Sequence, residues 1–390
     1  MILAERLLVR ENPDHPSSFS MWVGSKPRHS RAPLWRCVAC TVALFFVLGE
    51  GFAQTATADS SCRQATLKVK RGQELLAQGD GAEAIRELNS AQSLCPEKED
   101  IALALPRAYL ATQQFAQAEE TTRRFLARVP ASEAGQLLLA DCYFAQRRFP
   151  EAATTLQKLL AQNRANVDAL RQLGIVAFTV GDQRNAEQIF REVLSRRPED
   201  AEVLDYLGGV YYFKGDYKKA IETFEKILVF RPSSYEAYDR VASCYQAMQD
   251  TETAIQFFKK AGTLSPGKAP PDDGPFTHLA QTLIMAGRKA EAVPSAREAV
   301  RINPNTSLNQ FLLGNALFHA GELTEAVEHL RKAAELDPND PQPHFVLGNI
   351  FKKLSKTAEA QREFAKFQEL TRKAGAKNPS DSPPKAAARD

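Results

Sequence analysis

The chain has 390 residues, 44% of them hydrophobic and 25% charged, the balance of a folded protein with one or more sizeable cores. Its 50 basic and 47 acidic residues leave a net charge of +3, so composition gives no electrostatic case for nucleic acid or an anionic membrane surface.

In chain order, a targeting pattern comes first. Basic Lys26, Arg28, Arg31 and Arg36 precede an apolar run at residues 38–49. Twelve residues rise about 18 Å as a helix, short of the roughly 30 Å hydrocarbon core. Small residues follow at 51–53 and again at 56–58. Residues 1–53 are therefore expected to be a secretory signal peptide with its true start at Met21, or else an uncleaved N-terminal anchor. Cys40 lies inside the apolar run and gives no lipoprotein attachment signal. Residues 54–64 read as a flexible mature N-terminus.

A period of 34 organises the rest. Ala84, Ala118, Ala152, Ala186, Ala220 and Ala254 recur at every step, and Pro130, Pro198, Pro232 and Pro266 at multiples of it. A four-residue slip at Lys268–Asp272 resets the phase, and the period resumes with Ala292, Ala326 and Ala360. Nine units start at Ala65, Glu99, Glu133, Val167, Ala201, Tyr235, Asp273, Ser307 and Pro341. Their twentieth position is always Ala, and their eighth is Gly or Ala in eight of them. A fixed period of this length signals stacked repeats.

Unit five shows what one repeat is. Leu204, Leu207 and Tyr211, then Ala220, Phe224 and Ile227, fall at the three- and four-residue spacing of amphipathic helices. Gly215 can end the first helix in a left-handed conformation and Asp216 can cap the second. Gly79-Asp80 and Gly181-Asp182 repeat the device. The terminal proline separates units, because it lacks an N–H and disfavours helix in the residue before it. Each unit is thus two antiparallel helices, and Gly208 is small because a neighbouring helix passes close by. Gly208-Gly209 lies mid-helix, which excludes a phosphate-cradling loop.

Leu204, Leu207-Gly208, Tyr211, Ala220, Phe224 and Pro232 resemble the tetratricopeptide repeat, with Leu where Trp is usual. The likeness covers residues 65–374. It implies an all-α, right-handed α-solenoid of nine helix-turn-helix units, followed by a disordered tail at 375–390. Two units depart from the pattern. Pro106 replaces the small residue of unit two, and Pro294 interrupts the second helix of unit seven, so local bends or late helix starts are expected.

Motifs for chemistry are few. No H-E-x-x-H helix, G-x-S-x-G elbow or Asp-rich calcium loop is present. Of the four histidines beyond residue 53, only His319 and His344 could converge, between units eight and nine. Cys142 and Cys244 share position 10 of a first helix and read as buried small hydrophobes. Cys62 and Cys95 are 33 residues apart. Equivalent points of adjacent units lie roughly 10 Å apart, beyond the usual reach of about 7 Å, yet a mobile Cys62 can fold back. That leaves a Cys62–Cys95 disulfide open in an oxidising compartment.

The resemblance implies a concave face built from positions 2, 5, 9, 12 and 13 of the first helices. On it fall Asp168, Phe178, Glu202, Asp205, Gly209, Tyr212, Phe213, Glu236 and Asp239, then Ile284, Met285, Phe311, Asn315 and Phe318, and finally basic Lys352 and Lys353. An acidic-aromatic stretch beside an apolar one suits a partly basic, partly hydrophobic peptide. Gly209 reads as a notch between Asp205 and Tyr212. The family's carboxylate clamp and its asparagine ladder are not evident at the matching positions. The expected function is a non-enzymatic scaffold, exported to the periplasm or beyond, that binds a partner protein or peptide without cofactor, metal or nucleic acid. Membrane contact is expected only through an uncleaved N-terminal segment. The alternatives are a catalytic or metal-dependent protein on a helical-repeat scaffold and an RNA-binding helical repeat.

Overall fold

A computed structural model describes residues 60–265 and 272–377. The segment read as a signal, residues 54–59, most of the phase slip and residues 378–390 of the tail lie outside the described residues. Every regular element among the described residues is helical. They run α1 (60–77), α2 (Gly81–Leu94), α3 (Glu99–Ala111), α4 (Phe115–Arg128), α5 (Glu133–Ala145) and α6 (Phe149–Gln162). There follow α7 (Val167–Thr179), α8 (Gln183–Arg196), α9 (Ala201–Phe213), α10 (Tyr217–Phe230), α11 (Tyr235–Ala247) and α12 (Thr251–Leu264). After the slip come α13 (Gly274–Met285), a 3-10 turn at Lys289–Ala292, α14 (Val293–Ile302), α15 (Ser307–Ala320), α16 (Leu323–Leu336), α17 (Gln342–Lys353) and α18 (Thr357–Lys377). From unit two onward, first helices start where the period places them, within one residue at Gly274 and Gln342, whereas α1 starts before Ala65. None of the described helices is long and apolar enough to cross a membrane.

The helices form two compact units that divide inside α8, one up to Ile189 and one from Phe190. Within each, successive helices pack on one another, from α2 to α7 in the first and from α9 to α18 in the second, so hairpins stack on hairpins. In the second unit a single apolar core runs from Ala242 to Ala360. The alanines at position 20 are buried in every repeat of both units: eight of the nine are 0% exposed and Ala360 is 5% exposed.

Position 8 explains the hairpin. A Cβ built on Gly72 would lie 2.7 Å from Leu88 Cγ, one on Gly314 2.6 Å from Leu330 Cγ, and one on Gly348 2.6 Å from the Phe364 ring. At Gly208 it would overlap the ring of Phe224. The second helix thus sends a large side chain from position 24 into the space that glycine vacates, at native packing density.

Position 15 sets the turn. All nine residues there, Gly79, Gln113, Arg147, Gly181, Gly215, Gln249, Gly287, Gly321 and Ser355, have φ between 57° and 89°. The hairpin therefore demands a left-handed residue regardless of type, and four units supply it from residues that pay for a Cβ. Position 34, which the sequence reading passed over, caps the first helix of the next unit. Ser132, Asn166, Asp200 and Ser234 accept from the N–H groups of Gly135, Ala169, Val203 and Ala237 at 2.8–3.3 Å. Asp216 caps α10 through the Lys219 N–H, and Asp182 accepts from the Asn185 N–H, whereas Asp80 makes no such bond.

The prolines act differently. Pro294 sits at the start of α14, so the second helix of unit seven begins as a 3-10 turn and becomes α-helical late. Pro106 is buried inside an unbroken α3. At the N-terminal edge the lead-in expected to be flexible is already helical from residue 60, so Cys62 rides on α1 and not on a mobile segment. Cys62 and Cys95 are bonded, with Cα atoms 5.0 Å apart. They can approach because an antiparallel hairpin returns the end of α2 to the start of α1; the distance between neighbouring repeats does not apply. At the other edge α18 continues to Lys377, past residue 374.

Gly208→Val should lower stability by about 1–3 kcal/mol through overpacking against Phe224. Gln249→Gly should raise it by about 0.5–1 kcal/mol, the left-handed penalty less the added chain entropy. Urea unfolding of the full chain checks both, and opposite signs would contradict the two position rules.

Candidate binding face

The first compact unit carries two of the face residues. Asp168 opens α7 and stands 3.5 Å from Arg171, and Phe178 lies half-buried near the helix end. The remaining face residues belong to the second compact unit.

There, position 5 of one repeat reaches position 6 of the next. Arg240 Nε donates to Asp205 Oδ1 at 3.2 Å, and His278 Nδ1 is 2.8 Å from Asp239 Oδ1. The second pair is four residues further apart in sequence than the first, which is the phase slip seen in space. Burial works against the Arg240 charge, but the carboxylates of Asp205, Asp239 and Asp272 raise its pKa above the ordinary value. Ser234 Oγ also donates to Glu236 Oε2 at 3.0 Å. Carboxylates that the sequence offered to a basic partner are thus engaged within the fold. Asp239 is buried as well. In the first unit the equivalent rung is Leu137 before Gln172, and Leu has nothing to donate. Gln172 Oε1 is accordingly buried with no hydrogen-bond partner among the described residues.

Two expected face residues are covered. Gly209 is buried with all its neighbours from Tyr206 to Tyr211, so it opens no notch to solvent. Asn315 is buried because α15 packs against α13, α14, α16 and α17 at once, enclosing Leu312 to Leu317. Phe311 and Phe318 are half-buried against the same core.

What remains open is the C-terminal end of each first helix. Phe213 is 51% exposed and Met285 72% exposed. Tyr212 lies edge-on to Phe213 at 5.8 Å and to Tyr217 at 5.5 Å, and burial raises its hydroxyl pKa. Met248 is exposed beside them in sequence position, and Gln246 Nε2 lies 4.0 Å from Met285 Sδ. Ile284 is half-buried against the core, and Lys352 and Lys353 end α17 in solvent. Glu202 is half-exposed near the start of α9.

Titratable groups do not gather. His344 Nδ1 pairs with Glu363 at 2.7 Å, whereas His319 stacks edge-on with Phe318, so the two histidines have different neighbours. Among the described residues no three His, Cys, Asp or Glu side chains are placed to hold a metal ion. Cys142 and Cys244 are buried, and burial pushes each thiol up to about 12. Two surface hollows, of about 420 and 350 Å³, lie on the second-helix side, over Tyr109 and over His344.

Comparison with known proteins agrees with this architecture. Residues 159–382 match the family described as the cilia and flagella-associated protein 70 C-terminal domain, and residues 103–167 match the tetratricopeptide repeat. Among solved structures, a tetratricopeptide repeat protein from Parabacteroides merdae ATCC 43184 superposes with TM-score 0.50 at 16% identity, over 65% of this chain and 99% of that chain. YrrB, described as a TPR protein with an unusual peptide-binding site, gives 0.43 at 20% identity over 47% of this chain and 93% of that one. MamA from Desulfovibrio magneticus RS-1 gives 0.40 at 20% identity over 47% and 97%. No curated protein is similar enough in sequence to match.

Arg240→Met should cost about 1–2 kcal/mol, because it strands Asp205 in a partly buried site and removes a positive charge near Asp239. Adding Asp205→Leu should return part of that loss. Urea denaturation of the single and double variants reads it, and strictly additive losses would show that the two side chains do not interact.

Proposed function

This chain belongs to the tetratricopeptide-repeat family, and on that premise we propose that it is a scaffold that docks a partner protein or peptide along the ends of its first helices. The observation that carries the proposal is the set of exposed apolar side chains at the first-helix ends of the second unit, Phe213 and Met285 at position 13 and Met248 at position 14. Isolated exposed hydrophobes are common, but a set recurring at the ends of successive first helices marks a contact surface. Aromatic and thioether side chains supply adaptable contact area at such surfaces. The proposed role is docking; no reaction is assigned to it.

The working compartment is proposed to be the cell envelope or beyond. Residues 1–53 have the order of an export signal, and the Cys62–Cys95 bond suits an oxidising compartment. The partner then belongs to envelope assembly or secretion.

A photo-crosslinking amino acid at position 285 in the full chain, expressed in cells, should give discrete adducts. The same group at position 229, on the second helix of unit five and 83% exposed, should not. Equal labelling from both positions, or none from position 285, would overturn the proposed face.

A further inference from the structure

We propose that the C-terminal ends of α13, α15 and α17 form a cationic, apolar shelf that receives the acidic end of the partner's apolar segment. This rests on the scaffold reading above and adds the partner's chemistry.

Two elements meet at one aromatic ring, α17 through Lys353 and α15 through Phe318 and its neighbour His319. Lys353 Nζ lies 5.9 Å from the centroid of Phe318, within cation–π reach of about 6 Å, and His319 stands edge-on to the same ring at 4.8 Å. Burial lowers the His319 pKa, and the charges of Lys289 and Lys353 lower it further. Met285, the most exposed apolar side chain of the face, ends α13 four residues before Lys289.

Among the described residues these lysines form no ion pair. The ion pairs of the same repeats use Arg288, Arg297, Arg301 and Lys366, and Lys289, Lys352 and Lys353 take part in none of them. Helix electrostatics accounts for part of the cluster, since Lys352, Lys353 and His319 occupy last turns, where the dipole favours cations. It does not account for Lys289, which opens the second helix of its hairpin, at the end where the dipole disfavours a cation. Meanwhile Asp205 and Asp239 are paired with Arg240 and His278. The charge at the C-terminal ends of α15 and α17 and just after α13 is therefore positive, extending to Lys289 the basic zone that the sequence placed at Lys352 and Lys353. The complementary partner is a segment with large apolar side chains followed by carboxylates.

The test is selection of a random dodecapeptide phage library on the full chain, repeated on Lys289→Glu/Lys353→Glu. Both positions are at the surface, and an unchanged thermal melt confirms the fold of the variant. Enriched peptides should combine apolar residues with an excess of Asp and Glu. A synthetic peptide from the leading clone should bind the double variant about tenfold more weakly by fluorescence anisotropy. Enriched peptides without acidic bias that lose binding on Phe213→Ala, but not on the double variant, overturn the shelf and leave the scaffold intact. No enrichment overturns both. Cosedimentation with phosphatidylglycerol vesicles that the double variant abolishes, in place of acidic peptides, would assign the shelf to a lipid surface and overturn the peptide proposal.

Discussion

Two helices of one hairpin approach closely where one of them carries a small side chain, and that constraint recurs through the chain as Gly or Ala at position 8 in eight of nine units. Position 8 gives up its side chain and position 24 fills the gap, as Gly208 and Phe224 or Gly314 and Leu330 do. A hairpin closed in this way still has two apolar flanks and must be covered by its neighbours. Stability is therefore distributed along the stack by nearest-neighbour contacts, as in other quasi-one-dimensional folds. The left-handed turn at position 15 and the cap at position 34 serve the same end, returning one helix against the other and starting the next.

Stacking also decides what is left for function. Side chains on the flanks are consumed by packing, and polar groups near the first-helix starts are consumed by the rungs between repeats, such as Asp205 with Arg240. The surface proposed for contact is then the far end of the first helices, where Phe213, Met285 and Lys353 remain exposed. Structural chemistry occupies the starts of these helices, and the proposed binding chemistry their ends.

The repeat boundaries were legible because their causes are local and recur every 34 residues. Ala at position 20 and the hairpin glycines say where helices cross and turn without knowledge of the rest. Charge on the face was not legible in the same way. Whether Asp239 is free depends on His278, which lies 39 positions away across a phase slip and has no repeat consensus to announce it. Gly209 looked open because periodicity gives a direction but not the bulk of the surroundings. Gln113, Arg147, Gln249 and Ser355 hid the left-handed turn because the hairpin imposes it against their preference. Only the requirement for tertiary closure reveals such positions.

Hydrogen–deuterium exchange across the full chain, with and without Gly314→Val, tests the nearest-neighbour constraint most directly. The added side chain collides with Leu330, so amides of α15 and α16 and of the adjoining α14 and α17 should exchange faster, while α3 to α6 stay unchanged. Uniform acceleration along the whole chain would show one global core and contradict the account.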